Sequence, residues 1–314
     1  MEETRVPVYL ITGFLESGKT SFLSFTLQQD YFQIDGKTLL ILCEEGEEEY
    51  DEEALKQCNT VVEIIDSEEE LTPERLAAME ILHQPERVII EYNGMWLVSK
   101  FEEMEKPEGW GVEQHITCVD ASTFQVYMAN MKSLFMDMVR NADMVIFNRC
   151  KSGMDLGSYR RSMRALNPAL QIIFEDEKGD QVAISEQLPY DINADVIQVD
   201  DEDYGIWYMD VSERPEVYAG KKVRFKGQVL KNKYFKDKNF VPGRKVMTCC
   251  AEDTQFIGYI SFYNNIASLE NREWIWVTAT IKYEFQMAYK KKGPVLYVES
   301  VEKTGAPKEE MVFF

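Results

Sequence analysis

The most constraining feature of this sequence is a glycine-rich loop between a predicted strand and a predicted helix. Residues 13–20 read GFLESGKT, a complete G-x-x-x-x-G-K-T pattern. The apolar run 8–12 precedes the loop, and the helix-like segment 21–27 follows it. An accidental match in a glycine-containing turn is the alternative explanation. The order strand, loop, helix argues against that alternative and predicts a phosphate-binding loop.

The chemistry of such a loop follows from its backbone. Glycines allow successive N–H groups to surround one phosphate, and the helix N-terminus adds unpaired donors and partial positive charge. A lysine at position 19 can reach the terminal phosphates, and the hydroxyl of Thr20 can bind Mg²⁺. The predicted nucleotide-binding residues of this segment are Gly13, Glu16, Ser17, Gly18, Lys19, Thr20 and Ser21.

A second element of the site is expected at the end of a neighbouring strand, where an acidic group lies near the metal. The apolar strand 88–90 runs into Glu91, and Gly94 follows with a backbone N–H that can donate to a γ-phosphate. We therefore predict Lys19 and Glu91 as catalytic residues, and Thr20 and Glu91 as the residues that hold Mg²⁺. A strand that runs into an ordinary turn is the alternative.

The base-binding element is altered. A guanine site usually has Asn-Lys-x-Asp after an apolar strand, because the Asp carboxylate accepts two hydrogen bonds from the guanine edge. Here Asn148 and Arg149 are predicted to bind the nucleotide, but Lys151 stands at the Asp position. A lysine cannot accept these bonds. Guanine selectivity therefore stays open unless Asp155 or another acceptor substitutes.

Composition excludes some classes of function. The net charge of −21 opposes nonspecific binding of nucleic acid by the whole chain, so nucleic acid is not an expected partner. No stretch approaches the length of a membrane span, and the N-terminal residues lack the apolar core of a signal peptide, so we expect a cytoplasmic protein. The six cysteines are scattered apart from one adjacent pair, which does not indicate a disulfide framework.

Strands and helices alternate up to about residue 200, which predicts an α/β domain: a mainly parallel sheet with helices on both faces, as in P-loop NTPases. The predicted helices are 18–29, 73–83, 95–104, 122–141 and 155–166. The predicted strands are 7–12, 38–43, 61–65, 87–92, 115–121, 143–148, 170–174 and 195–199.

Beyond an acidic linker at 199–205 the pattern changes to short strands punctuated by Gly, Pro and Asn. We predict a small all-β barrel, similar to an OB-fold, and place the domains at 1–203 and 204–314. The predicted strands are 208–211, 222–230, 244–250, 255–262, 274–285 and 295–301.

Taken together, the motifs of residues 5–200 resemble the CobW-type metal-chaperone GTPases, which are related to HypB and UreG. The loop resembles GFLGSGKT, Glu91 to Gly94 resembles E-x-x-G, residues 118–121 resemble VVDA, and 141–148 resemble ADVILLN. The resemblance implies binding of GTP and GDP with Mg²⁺, GTP hydrolysis, and delivery of a transition metal such as Zn²⁺ to a metalloprotein client. A homodimer and ATP as the nucleotide stay open.

This chain departs from the family where the family carries its thiol motif, G-C-x-C-C. The corresponding residues 61–70 contain no cysteine, and residues 43–47 read CEEGE where the family has NEFGE. Clustered carboxylates favour harder ions than thiolates do. Nucleotide binding therefore carries over from the family, whereas zinc delivery through that motif does not. A nucleotide-sensing scaffold without significant hydrolysis is the alternative function.

The C-terminal segment resembles a second, poorly characterised bacterial family with an R-x-x-x-x-C-C-x-x-D signature, labelled as repeat or permease-associated proteins. The matching residues include Cys249, Cys250 and Asp253, which form a candidate thiol site. Neighbouring residues of a regular strand point to opposite faces, so a packed cysteine beside an incidental one is the alternative. The basic, aromatic stretch 221–245 leaves open whether the barrel binds single-stranded nucleic acid or a protein.

Overall fold

The structure is a computed structural model that describes residues 6–167, 169–184, 188–231, 239–247 and 254–312. Contacts divide the chain into two compact units. The first unit comprises Met1–Leu156 and Leu166–Ile184, and the second comprises Gly157–Ala165 and Ser185–Phe314. Residues 188–203, which we expected in the first domain, thus have their contacts in the second unit.

The first unit is built on a parallel sheet. Its strands are β1 Val6–Thr12, β2 Thr38–Leu42, β3 Thr60–Ile64, β4 Arg87–Glu91, β5 Trp110–Asp120, β6 Met144–Asn148 and β7 Gln171–Phe174. Their spatial order is β3-β2-β4-β1-β5-β6-β7, and every pairing is parallel. This confirms the predicted fold class, a P-loop NTPase sheet with helices.

The helices of the first unit follow the strands in alternation. They are α1 Lys19–Leu27, α2 Glu52–Gln57, α3 Pro73–His83, α4 Val98–Glu103, α5 Phe124–Asn130 and α6 Lys132–Arg140, with short 3₁₀ turns at Asp30–Phe32 and Glu68–Glu70. The start of α3 shows how neighbouring residues in the sequence determine where a helix begins. Thr72 accepts a hydrogen bond from the backbone N–H of Arg75, and Pro73 occupies the first helical position.

The central strands are buried on both faces, which explains their uninterrupted apolar sequences. Residues 39–41 of β2 and 88–90 of β4 have no exposed surface. Because β1 and β4 are adjacent and Ile11 pairs with Glu91, the loop after β1 and the carboxylate of Glu91 leave the sheet at the same edge. The fold thus brings together the two sequence motifs predicted to form one site.

Strand β3 lies at one end of this sheet order and is only partly covered. Val62 and Ile64 are exposed. Between them, Glu63 accepts hydrogen bonds from Arg75 (3.0 Å) and lies 2.7 Å from the ring of His83.

The second unit is mostly β structure. Its described strands are β8 Ile197–Gln198, β9 Lys222–Leu230, β10 Asn239–Met247, β11 Thr254–Gly258, β12 Ser261–Phe262, β13 Trp274–Gln286, β14 Lys291–Thr304 and β15 Met311–Val312. Its helices are α7 Leu156–Leu166, α8 Tyr204–Glu213 and α9 Pro215–Tyr218, with a 3₁₀ turn at Ile266–Ser268.

Five of these strands pair in a closed circuit. Strand β9 pairs with β10 and β13, β13 pairs with β14, β14 pairs with β12, and β12 pairs with β10. The β12–β14 pairing is parallel and the other four are antiparallel. Inside the unit, Trp207 stacks on Phe225 at 4.8 Å and contacts Tyr204, and all three are buried.

Several expected elements differ from the structure, and three of them are instructive. The predicted strand 208–211 and part of the predicted linker form helix α8, because Tyr204, Trp207 and Val211 are buried at helical spacing. The strand predicted at 195–199 is short, and it pairs with β9 in the sheet of the second unit. The single helix predicted at 122–141 is two helices, α5 and α6, which separate at Met131.

Among the residues that the structure describes, no helix is both long enough and apolar enough to cross a bilayer.

Candidate functional site

The glycine-rich loop holds a left-handed turn immediately before helix α1. Gly18 has φ +89°, and a Cβ at this position would lie 2.6 Å from Nδ2 of Asn148. Only glycine tolerates both the angle and the approach. Glu16 is also left-handed, at φ +61°, and the N–H of Ser17 donates to the carbonyl of Phe14.

Helix α1 begins at this turn without a capping side chain. Gly18 is its N-cap residue, and no acidic residue lies in the first turn. The first N–H groups of the helix therefore have no side-chain acceptor and keep their partial positive charge. This is the arrangement that binds phosphate at a helix N-terminus.

Lys19 lies beneath the loop, with 3% of its side chain exposed. Its Nζ donates to the carbonyls of Gly13 (2.9 Å) and Phe14 (3.0 Å) and to Oε2 of Glu44 (2.5 Å). The loop carbonyls fix the ammonium group at the position from which a P-loop lysine reaches terminal phosphates.

Thr20 and Glu91 meet as their motifs predicted. The Thr20 hydroxyl donates to Oε1 of Glu91 at 2.8 Å, and the Tyr50 hydroxyl donates to Oε2 of the same carboxylate. Burial raises the pKa of Glu91, and the hydrogen bonds from Tyr50 and Thr20 and the charge of Lys19 partly oppose this rise. Burial and the neighbouring Glu91 also raise the pKa of Tyr50.

Gly94 lies directly against the phosphate-binding loop. A Cβ at this position would lie 2.5 Å from the carbonyl oxygen of Gly13 and 2.7 Å from Cα of Phe14. The N–H of Gly94 faces Oε1 of Glu44 at 3.4 Å. Asn93 holds this turn, because its side chain donates to the carbonyl of Cys43 and accepts from the N–H of Met95.

Asn148 and Arg149 lie on the other side of the loop. Nδ2 of Asn148 donates to the carbonyl of Ser17 at 2.7 Å. Arg149 donates to the carbonyl of Glu16 at 2.8 Å and to Oδ2 of Asp120 at 2.7 Å. The Ser17 hydroxyl and the Asn148 side-chain oxygen are buried without a hydrogen-bond partner. Two unsatisfied polar atoms beside a phosphate loop are consistent with a site built for a ligand.

Sequence reasoning did not single out Asp120, at the end of β5. Burial raises the pKa of its carboxyl, but hydrogen bonds from Ser122 and Arg149 outweigh burial, and the net pKa is lowered. Its position after an apolar strand was the available signal. Lys151, at the place of the usual guanine-binding Asp, pairs with Glu177 at 3.0 Å.

An acidic loop, residues 44–50, also escaped assignment to the site. Glu44 of this loop accepts a hydrogen bond from Lys19. In addition, the N–H of Glu47 donates to Glu16 at 3.1 Å, and Ser21 donates to Glu48. Sequence analysis gave residues 43–47 only as a departure from NEFGE, because composition carries no indication of which side chains turn inward.

A cavity of about 520 Å³ lies between this acidic loop and β3. Thr20, Tyr50 and Glu91 line it together with Val62 and Ile64 of β3. Its volume falls within the range of small-molecule sites.

The described cysteines do not fit a thiolate metal site. Burial is the main cause that raises the pKa of Cys43 and Cys118 to about 12 and that of Cys150 to about 11, so these thiols stay protonated at neutral pH. Within the described ranges, no group of three or more His, Cys, Asp or Glu side chains is arranged to hold a metal ion. Cys249, Cys250 and Asp253 lie outside the described residues.

Mg²⁺ fits the donors that are present. The adjacent hydroxyl of Thr20 and carboxylate of Glu91 are hard oxygen ligands, of the kind that Mg²⁺ takes alongside phosphate oxygens.

A parallel sheet with this loop after a central strand, and a lysine held by the loop carbonyls, defines a P-loop nucleotide-binding protein. Residues 7–174, more than half of the chain, match the family model described as CobW/HypB/UreG, nucleotide-binding domain. The chain belongs to the CobW/HypB/UreG family. Residues 174–314 match the model of the DUF1980 C-terminal domain.

Two solved structures illustrate the likeness. The hydrogenase maturation factor HypB from Archaeoglobus fulgidus is 17% identical, with 57% of this chain and 85% of that chain covered and a TM-score of 0.42. The Zn(II)-bound YjiA GTPase from E. coli is also 17% identical, with 82% and 90% covered and a TM-score of 0.42. No curated protein sequence matched this chain.

Proposed function

We propose that this protein binds GTP and GDP together with Mg²⁺, hydrolyses GTP slowly and acts in metal homeostasis. The observation that carries the proposal is Lys19, buried beneath a glycine turn and held by the carbonyls of Gly13 and Phe14. The uncapped start of α1 and membership of a nucleotide-binding family support the same conclusion.

Each residue of the site has a separate role in this proposal. Lys19 and the loop N–H groups stabilise charge on the β- and γ-phosphates. Thr20 and Glu91 hold Mg²⁺, which supplies charge neutralisation on the phosphate oxygens when bound. Glu91 also orients a water molecule, and the N–H of Gly94 donates to the γ-phosphate.

The choice of guanine rests on the family rather than on the base-binding residues. Lys151 supplies no acceptor, and the carboxylate of Asp120 is engaged by Arg149. ATP therefore remains a second candidate nucleotide, and a direct comparison of bases decides between them.

Thermal unfolding of the full chain with GTP, GDP, ATP or ADP, each with Mg²⁺, tests the proposal. A nucleotide at about 100 times its dissociation constant stabilises the folded state by about 2.7 kcal/mol. We expect guanine nucleotides to raise the unfolding temperature of the wild type and to leave Lys19→Ala unchanged. Equal nucleotide affinity in the wild type and Lys19→Ala would contradict the assignment of residues 13–20 as a phosphate-binding loop.

A nucleotide-sensing scaffold without significant turnover is the second candidate function. Two observations favour the scaffold. Glu44 of the acidic loop already pairs with Lys19, and the described residues contain no thiolate cluster. Release of inorganic phosphate with Mg²⁺, with and without added Zn²⁺, separates the two functions. Turnover well above that of Lys19→Ala excludes the scaffold.

We further propose that the second unit is an OB-like barrel whose partner is a protein, such as a metalloprotein client. The closed circuit of five strands supports this fold. Arg224 and Lys226 lie over the ring of Trp276, but they also pair with Glu302 and Asp201, which leaves less positive charge for nucleic acid. A homodimer and a cytoplasmic location belong to the same proposal.

Salt-dependent binding tests single-stranded nucleic acid as the alternative partner. Binding of labelled single-stranded DNA by the full chain at low salt would favour nucleic acid, because phosphate contacts weaken steeply as salt rises. We expect no binding.

A further inference from the structure

The carboxylate of Glu44 contacts Lys19 and Gly94, the two donors proposed above for the terminal phosphate. Its Oε2 accepts from Lys19 at 2.5 Å and its Oε1 faces the N–H of Gly94 at 3.4 Å. These two donors are the groups that a P-loop protein of this kind directs at the γ-phosphate. One acidic side chain thus satisfies both of them at once.

Burial makes this contact more than a surface ion pair. The exposed fraction is 3% for the Lys19 side chain and 9% for that of Glu44. A buried ammonium group without a counter-charge is strongly destabilising, and the loop carbonyls supply only dipoles. Glu44 is the negative charge that the structure places against Lys19.

Beyond Glu44, the acidic loop makes further contacts with the phosphate-binding loop and the start of helix α1. The N–H of Glu47 donates to Glu16 at 3.1 Å, and Glu48 accepts from Ser21, just after Thr20. Glu16, Glu44 and Glu48 line a cleft beside the phosphate-binding loop whose volume is only about 20 Å³. That volume is about the size of one water molecule.

We propose that Glu44 is a built-in substitute for the γ-phosphate, and that it lowers the affinity of the site for triphosphates relative to diphosphates. A triphosphate brings its own charge to Lys19 and Gly94 and must displace the carboxylate. A diphosphate binds the loop N–H groups without taking both donors from Glu44. The proposal rests on the proposed nucleotide-binding function for its binding measurements.

Inorganic triphosphate and pyrophosphate with Mg²⁺ test this selectivity without the question of the base. Glu44→Gln keeps the shape and an acceptor oxygen but removes the negative charge. We expect affinity for triphosphate to rise about tenfold or more, and affinity for pyrophosphate to rise much less, since only triphosphate competes for both donors. Glu45→Gln is the matched control, because Glu45 is the exposed neighbour and loses the same charge.

Two results overturn the proposal. Equal gains for both anions, or no gain, would show that Glu44 does not discriminate between them. A fall in triphosphate affinity would make Glu44 a ligand of the bound state instead.

A measurement on the nucleotide-free protein separates failure of this inference from failure of the proposed function. Acetic anhydride labels exposed amines, and mass spectrometry reports the labelled fraction of Lys19. We expect low labelling in the wild type and in Glu45→Gln, and a clear rise in Glu44→Gln as the acidic loop opens. Equal labelling in all three proteins overturns the closed loop, whatever the nucleotide measurements show. If labelling rises but neither anion binds any variant, the nucleotide-binding function fails and the loop contact stands.

Discussion

At position 94 only glycine, which has no Cβ, allows the close approach to the phosphate-binding loop. Gly94→Ala would place a methyl group 2.5 Å from the carbonyl of Gly13, which Lys19 also uses. We expect the phosphate-binding loop to shift and nucleotide affinity to fall by about tenfold or more, because displacements of this size misplace the phosphate donors. Isothermal titration with GDP and Mg²⁺ measures the change.

Gly305→Ala is the control for that substitution. A Cβ at Gly305 would meet no atom within 4 Å. Wild-type affinity in Gly94→Ala would show that the two loops are not in the contact described.

His115 gives a pH dependence at the same scale. Burial lowers its pKa to about 4, against the charges of Asp143 and Asp137, which raise it. The folded state therefore binds fewer protons than the unfolded state below pH 6.5. The free energy of unfolding consequently decreases as the pH is lowered through this range. We expect a loss of about 1.6 kcal/mol between pH 6.5 and about pH 5 from this residue.

Native-state hydrogen exchange of the β1 and β5 amides at the two pH values measures this loss. His115→Asn retains a polar partner for Thr12, which lies 3.0 Å from the His115 ring, and removes the titration. We expect a smaller loss in the variant and equal slopes above pH 7, where the wild-type histidine is neutral. An identical loss in both proteins would assign the pH dependence to other groups.

At the scale of elements, helices α5 and α6 support the phosphate-binding loop from outside. The ring of Phe14 stacks on Tyr127 at 4.0 Å and lies 6.2 Å from that of Phe135. We expect Tyr127→Ala to cost about 1 kcal/mol of stability beyond the lost burial, and to weaken nucleotide binding, because Phe14 loses its stacking partner.

Thermal unfolding and GDP titration check both effects. Tyr31→Ala provides the comparison, since Tyr31 has the same side chain but is 77% exposed. A larger loss in Tyr31→Ala than in Tyr127→Ala would contradict this account.

Sequence pattern predicted the elements whose signal is local. The strands β1, β2 and β4 are continuous apolar runs, and α3 carries its own cap and its own first-turn proline, so both were predictable. Helix α8 was mistaken for a strand because its aromatic and β-branched residues favour strands until packing buries one helical face. The position of β8 in the second sheet depends on long-range pairing, which no local pattern contains.

The site divides in the same way. Lys19, Thr20, Glu91 and Gly94 were predictable, because a motif fixes their spacing and parallel strands bring their ends together. Glu44, Tyr50 and Asp120 were not predicted, since their roles depend on how separate loops fold onto the motif.

For the whole molecule, the net charge of −21 sets a general condition on stability. Excess like charge repels within a compact fold, and salt at about 0.15 M screens charges beyond about 8 Å. We expect the unfolding temperature to rise from low salt to this concentration, measured by calorimetry. Sodium chloride and choline chloride should act equally if screening is the cause, whereas a falling unfolding temperature would mean that ion pairs dominate.

The exposed strand β3 has a consequence for handling this protein. A sheet edge with apolar side chains such as Val62 and Ile64 is a template on which another chain can add a strand. The high negative charge of the chain keeps molecules apart. Near the isoelectric point of about 4.6 this repulsion vanishes, so aggregation through β3 is expected to begin there before the sheet itself unfolds.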